Sequence, residues 1–190
     1  FLGRITTYFN IIMDIVMLSA LRHWSQSRFS WLLLALTAIG LEGAALYFQY
    51  GMELMPCVMC VYQRIAVLGI LVAALIGFSS PKLTLMRMAG SFLWLYASYR
   101  GIELAWEHTQ LILNPSPFAT CDFFVTLPSW FALQDWFPAV FQASGDCSVS
   151  QWRFLSLEMP QWMLIIFSAY FIVGLLVLIS QVTSSFSKKD

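Results

Sequence analysis

The stretch W-M-L-I-I-F-S-A-Y-F-I-V-G-L-L-V-L-I, residues 162–179, carries no charged side chain. A helix needs about 20 mostly apolar residues to cross the hydrocarbon core of a bilayer, and this run nearly reaches that length. Three other stretches read the same way. Residues 29–48 are interrupted only by Glu42. Residues 61–78 hold Arg64 near their start, and residues 86–106 hold Arg100 and Glu103 near their end. Strands of a membrane barrel would alternate over about 10 residues; these runs are longer and continuous.

Composition agrees. The chain has 190 residues, of which 59% are hydrophobic and 11% charged. A soluble domain carries about 25% charged residues, so a water-facing surface cannot be clothed from this sequence. Disorder is excluded as well, because it requires low hydrophobicity and high charge. Ten basic and ten acidic residues cancel, and no charge excess points to nucleic acid. The eight Trp residues suit a protein with two wet membrane interfaces.

Basic residues collect on the cytoplasmic side of membrane proteins. Arg4, Arg22 and Arg28 precede the first span, Lys82 and Arg87 flank the second loop, and Lys188 and Lys189 lie in the tail. All fall on one side. The other side carries Glu53 in a short loop and Glu107, Asp122, Asp135, Asp146 and Glu158 against Arg153 in a long one. The expected fold is therefore an all-α membrane protein: a single domain, a four-transmembrane-helix bundle with both termini cytoplasmic and two periplasmic loops. Its parts are a cytoplasmic segment 1–28, spans 29–48, 61–78, 86–106 and 162–179, periplasmic loops 49–60 and 107–161, and a cytoplasmic tail 180–190. Within the first twenty residues, Arg4, Asn10 and Asp14 break the apolar pattern, which suits an amphipathic segment on the membrane surface. The leading Phe1 also suits a start at Met13 or Met17.

Cys57, Cys60, Cys121 and Cys147 all fall in the outward stretches, where disulfides persist. Four cysteines allow three pairings. Spacing favours Cys57 with Cys60, which form C-V-M-C at the start of a helix, the usual form of a redox dithiol. Cys121 and Cys147 then remain to pair across the long loop. Two plainer readings stand beside this one. A Cys121–Cys147 bridge could simply staple the loop, worth roughly 3–4 kcal/mol in the chain-entropy model, leaving a structural membrane protein with inert disulfides. A zinc site could use all four thiolates, although zinc commonly takes two C-x-x-C pairs and only one is present. Arg64 lies one helical turn beyond Cys60, on the same face. An arginine in a span costs about 2.5–3.5 kcal/mol at the bilayer centre. It either snorkels to the interface or stabilises a Cys60 thiolate beside the positive helix N-terminus. The acceptor for such a thiolate would be a lipid-soluble oxidant.

Several motifs together resemble the DsbB family. They are P-C-V-M-C-V-Y-Q-R (56–64), W-L-Y-A-S-Y-R-G (94–101) followed by E-H-T, P-S-P-F-A-T-C-D-F (115–123), A-S-G-D-C (143–147) and L-E-M-P-Q-W (157–162). The likeness covers about residues 20–185. It implies a quinone-dependent, disulfide-generating enzyme of the bacterial inner membrane that reoxidises DsbA, a periplasmic thiol oxidase. It also implies roles. Cys121 forms the mixed disulfide with DsbA, Cys147 attacks Cys57, and Cys60 is released as a thiolate in charge-transfer contact with a bound quinone. The cofactor implied is ubiquinone, with menaquinone as an alternative. Arg64 supports quinone binding and His108 lies near the quinone. Gln63 stands where relatives often have an acidic residue, and Ile112 where some have Gln.

The long loop contains Pro115, Pro117, Pro128 and Pro138, with Trp130, Phe131, Trp136, Phe137 and Phe141. Such aromatics lie at headgroup level, so this stretch is expected to rest on the outer membrane face and hold Cys147 near Cys57. Pro115 to Phe123 is expected to dock the partner as an extended strand. Glu42 reads as a helix-contact residue or a proton carrier, Arg100 with Glu103 as a local ion pair, and the methionines as packing within the spans.

Overall fold

A computed structural model describes residues 19–114, 125–128, 132–149 and 152–186. After a short helical stretch at 19–25, the chain forms helices α1 (Arg28–Gly51), α2 (Val58–Ser79) and α3 (Thr84–Leu113). Two single-turn helices follow, α4 (Leu133–Trp136) and α5 (Pro138–Phe141). A small antiparallel hairpin, β1 (Arg153–Phe154) with β2 (Leu157–Glu158), leads into α6 (Met159–Phe186).

Among the described residues, three helical stretches are long and apolar enough to cross a membrane: Arg28–Gly51, Val58–Ser79 and Met159–Val182. The expected span at 86–106 lies on α3, which is long but interrupted by Arg87, Arg100, Glu103 and Glu107. All four long helices outrun the expected spans, because hydropathy ends where polar residues begin while backbone hydrogen bonding continues. Two consequences matter. Cys60 sits inside α2 rather than in the preceding loop, and His108 sits on α3 rather than in the long loop.

α2 packs against α1 and α3, and α3 packs against α6. Helix association in lipid depends on close packing over small residues, and Ala38, Ala73, Ala74 and Ala105 are fully buried between the helices. Two glycines make the closest approaches. A Cβ on Gly77 would meet the Trp31 indole at 2.2 Å, and one on Gly101 would meet the Phe167 ring at 2.3 Å. Ser91, Ser98 and Thr109 return their hydroxyls to the carbonyls of Arg87, Trp94 and Ala105 one turn back, so these three hydroxyls are satisfied within the helix. Arg100 and Glu103 form the expected pair at 2.6 Å. α1 and α6 do not close against each other in this way, and the space between them holds two adjoining cavities.

Candidate active site

Cys57 caps the N-terminus of α2. Its sulfur accepts a hydrogen bond from the Cys60 amide at 3.2 Å, so a thiol does the work that Ser or Asp usually does at a helix start. One turn along, the Cys60 sulfur lies 2.6 Å from the Cys57 sulfur. Both are free thiols, and a closed bridge would need about 2.05 Å, so the pair forms or opens a disulfide with little movement. The hydrogen bond to Cys60 and burial both push the Cys57 thiol well above its ordinary range. Of the two sulfurs, Cys57 therefore holds a proton the more tightly.

Cys57 also meets the long loop. The amides of Ser144 and Gly145 both donate to the Pro56 carbonyl at 3.0 Å, and Cys57 and Gly145 pair as a parallel bridge. This seats Cys147 in the same buried cluster as Cys57 and Val58. Cys147 is held in a disulfide. Its expected partner, Cys121, and the docking stretch 115–123 lie outside the described residues, as do Trp130 and Phe131.

His108 faces the Cys57 sulfur from α3. Its Nε2 lies 3.7 Å from the Cys57 sulfur, and its Nδ1 lies 3.3 Å from the Gln63 amide nitrogen. An amide nitrogen can only donate, so Nδ1 accepts and Nε2 carries the ring proton towards Cys57. A hydrogen bond also joins His108 to the Cys147 backbone. His108 lies beyond the apolar stretch 86–106, and burial lowers its pKa to about 4, so the imidazole is neutral at pH 7. The Cys57, Cys60 and His108 donor atoms lie within 4.8 Å of one another, the chemistry of a thiophilic metal set as well as of a redox pair.

Arg64 is buried and ties three parts together. Its Nη1 donates to Gln49 Oε1 at 2.6 Å and to the Val140 carbonyl at 2.7 Å, and its Nη2 donates to the Ala45 carbonyl at 3.1 Å. Gln49 Nε2 and the Tyr50 hydroxyl in turn donate to the Ala139 carbonyl. The guanidinium thus fastens α5 to α1 and α2. Leu133 and Phe141 bury against Val61, while Trp136 and Phe137 stay 56% and 58% exposed. Phe141, expected at headgroup level with Trp136 and Phe137, is instead buried, because it packs on Val61 and Leu133.

Cys60, and not Cys57, is among the residues that line a cavity of about 360 Å³ between α1, α2 and α6. Its walls are mostly apolar, with Phe48, Trp152, Phe154 and Met163 among them. Its polar lining consists of Glu42, Cys60, Gln63, Arg64 and His108. Two buried polar atoms in this lining lack a partner, Arg64 Nε and Glu42 Oε1. A second cavity of about 520 Å³ shares Leu41 and Ile166 with the first and runs on towards Trp24 and Trp31. Pockets of roughly 300–1,000 Å³ with apolar walls and a few convergent polar groups are typical of small-ligand sites.

Of the six expected site residues, Cys57, Cys60, Cys147, Arg64 and His108 come together here. Gln49, Gln63 and the Val140 carbonyl were not anticipated as partners. Gln63 gave one signal, its place beside Arg64 in the motif, but nothing in the sequence linked it to His108, 45 residues away.

Comparison with known proteins covers the same residues. The family model DsbB, described as Disulfide bond formation protein DsbB, matches residues 27–177. A protein of Photorhabdus laumondii named Disulfide bond formation protein B is 56% identical over 165 residues, 87% of this chain and 97% of that protein. Proteins of the same name from Yersinia enterocolitica and Pectobacterium atrosepticum are 59% and 56% identical over 165 residues, 87% of this chain and 93% of each. The matched stretch contains the dithiol, Cys147, Arg64 and His108, so the likeness extends over the site itself, and the chain belongs to the DsbB family of disulfide bond formation proteins.

Proposed function

We propose that this protein is a quinone-dependent thiol–disulfide oxidoreductase of the bacterial inner membrane that reoxidises a DsbA-like periplasmic thiol oxidase. One observation carries the reading. Cys57 faces Cys147, whereas Cys60 faces the apolar cavity, so the dithiol has one end towards protein and one towards lipid-soluble oxidant. In this reading residues 86–106 of α3 form the fourth span, both termini are cytoplasmic and the cysteines are periplasmic, as the basic residues of the flanks suggest.

The exchange steps balance as follows. A partner thiolate attacks Cys121, and the Cys121–Cys147 bond breaks to release the Cys147 thiolate. Cys147 attacks Cys57, and the Cys57–Cys60 bond breaks to release the Cys60 thiolate. The partner's second thiol then displaces Cys121, which attacks Cys147 and frees Cys57. The partner leaves oxidised, and two electrons rest on the Cys57/Cys60 dithiol. Each step passes through a mixed disulfide. The seating of Gly145 on Pro56 holds Cys147 beside its target, and the His108 Nε2–H steadies the Cys57 sulfur as it becomes an anion.

A quinone supplies an acceptor that dissolves in the bilayer and takes up two electrons and two protons. The residues fit such a ring. Arg64 Nε is a buried donor without a partner, Cys60 opens beside it, and the adjoining apolar groove suits a polyprenyl tail. Ubiquinone is the proposed form, with menaquinone the alternative. Replacing Cys121 by Ser tests the order of steps. It is expected to abolish the mixed disulfide with the partner, and partner oxidation at the normal rate would overturn the relay.

A further inference from the structure

We propose that Glu42 is the acid that supplies one of the two protons taken up when the Cys57/Cys60 dithiol is oxidised by the quinone. The inference rests on the quinone reading above. Glu42 belongs to α1 and lines the same cavity as Cys60, Arg64 and His108. Its Oε1 is buried and has no hydrogen-bond partner. The only ion pairs among the described residues are Arg100–Glu103 and Arg153–Glu158, so Arg64 does not close a bridge with Glu42. A buried carboxylate without a partner is strongly unfavourable, and such a group neutralises instead. Glu42 therefore holds a proton at rest, at the wall of the cavity where the proton is needed.

The other titratable groups facing this cavity are excluded in turn. The guanidinium of Arg64 does not give up a proton in proteins. The Nε2–H of His108 points to the Cys57 sulfur, and its Nδ1 accepts from Gln63. Cys60 is the sulfur released as thiolate and has no proton to give. From α6 the lining residues are Met159, Pro160, Trp162, Met163 and Ile166, and from the hairpin and the residue before it Phe154 and Trp152, none of them an acid.

The step balances. Before it, Cys57 carries one proton, Glu42 carries one, and Cys60 carries the negative charge. The S–S bond forms, two electrons and the two protons pass to the quinone, and quinol leaves. The negative charge now rests on the Glu42 carboxylate. It regains its proton from the partner dithiol of the next cycle, whose oxidation releases two protons, one ending on Cys57 and the other on Glu42. Arg64 thus faces one anion before the step and one after it, so no uncompensated charge appears in a low-dielectric cavity.

The test uses purified full-length protein loaded with a short-chain ubiquinone, with wild type, Glu42→Gln and Glu42→Asp compared. Infrared difference spectra taken as the dithiol is oxidised are expected to lose a protonated-carboxyl band in wild type, and this loss is absent in Glu42→Gln. General-acid catalysis is worth about 10²–10⁴-fold. Single-turnover quinol formation should therefore fall by about that factor in Glu42→Gln, with quinone affinity unchanged, and recover in part in Glu42→Asp. An unchanged carboxyl band in wild type, or wild-type quinol formation in Glu42→Gln, would overturn the assignment. If wild type itself neither binds nor reduces quinone, the functional reading falls, and the role of Glu42 with it.

Discussion

Gly145 pairs with Cys57 as a parallel bridge, and the Gly145 amide donates to the Pro56 carbonyl at 3.0 Å. This contact joins a loop cysteine to the helix-capping cysteine 90 residues earlier. Replacing Gly145 by Pro removes the donor and should slow transfer between the two cysteine pairs about tenfold, the effect of losing one hydrogen bond of about 1.4 kcal/mol. Quinone affinity should not change. Stopped-flow tryptophan fluorescence of partner oxidation reads this directly, and an unaltered rate would remove the bridge from the account.

Arg64 holds three acceptors on two other segments. Arg64→Met should leave buried acceptors unpaired at about 1–3 kcal/mol each, lower the melting temperature in detergent and raise the KM for quinone. Arg64→Lys keeps the charge but not the fork of donors, so it should restore only part of both. A lysine variant equal to wild type would reduce Arg64 to a point charge.

His108 has its pKa lowered by burial to about 4, against about 6.5 when unfolded. The folded state therefore binds fewer protons than the unfolded one between those values. The stabilisation is complete above pH 6.5 and is lost as pH falls towards 4, by about 3 kcal/mol in all. Melting temperatures measured from pH 7 to pH 4.5 should fall, and the fall should be shallower in His108→Gln. Equal slopes in the two proteins would show that His108 is not the group that titrates.

How much of this was legible without coordinates follows from the kind of contact involved. The uncharged run 162–179 announces α6, and C-V-M-C announces the dithiol, because both are local patterns. The end of α3 is not announced. Glu107, His108, Thr109 and Gln110 look like a loop to hydropathy, yet the helix continues to Leu113 with Thr109 bonded back to Ala105. That continuation is what points His108 at Cys57. The fastening of Arg64 to Val140 spans 76 residues, and the groove between α1 and α6 exists only because two helices distant in sequence fail to meet. No spacing rule carries either. The stretch around Cys121, outside the described residues, was legible as a motif alone.

Gly101 and Gly43 make a matched pair for the packing. A Cβ at position 101 would lie 2.3 Å from the Phe167 ring, whereas one at position 43 meets nothing within 4 Å. Gly101→Ala should cost about 1–3 kcal/mol through overpacking, and Gly43→Ala should cost nothing. Thermal denaturation in one detergent separates them, and an undiminished Gly101→Ala protein would show that α3 and α6 are not packed as described.

The central claim is that Cys60 faces the oxidant and Cys57 faces Cys147. Visible absorption of the purified, quinone-loaded protein tests it, with Cys57→Ser and Cys60→Ser compared side by side. Cys57→Ser leaves the Cys60 thiolate at the cavity wall and should give a charge-transfer band that weakens when Arg64 is also replaced. Cys60→Ser leaves only the sulfur that faces the loop and should be colourless. A band that survives in Cys60→Ser and vanishes in Cys57→Ser would contradict the account.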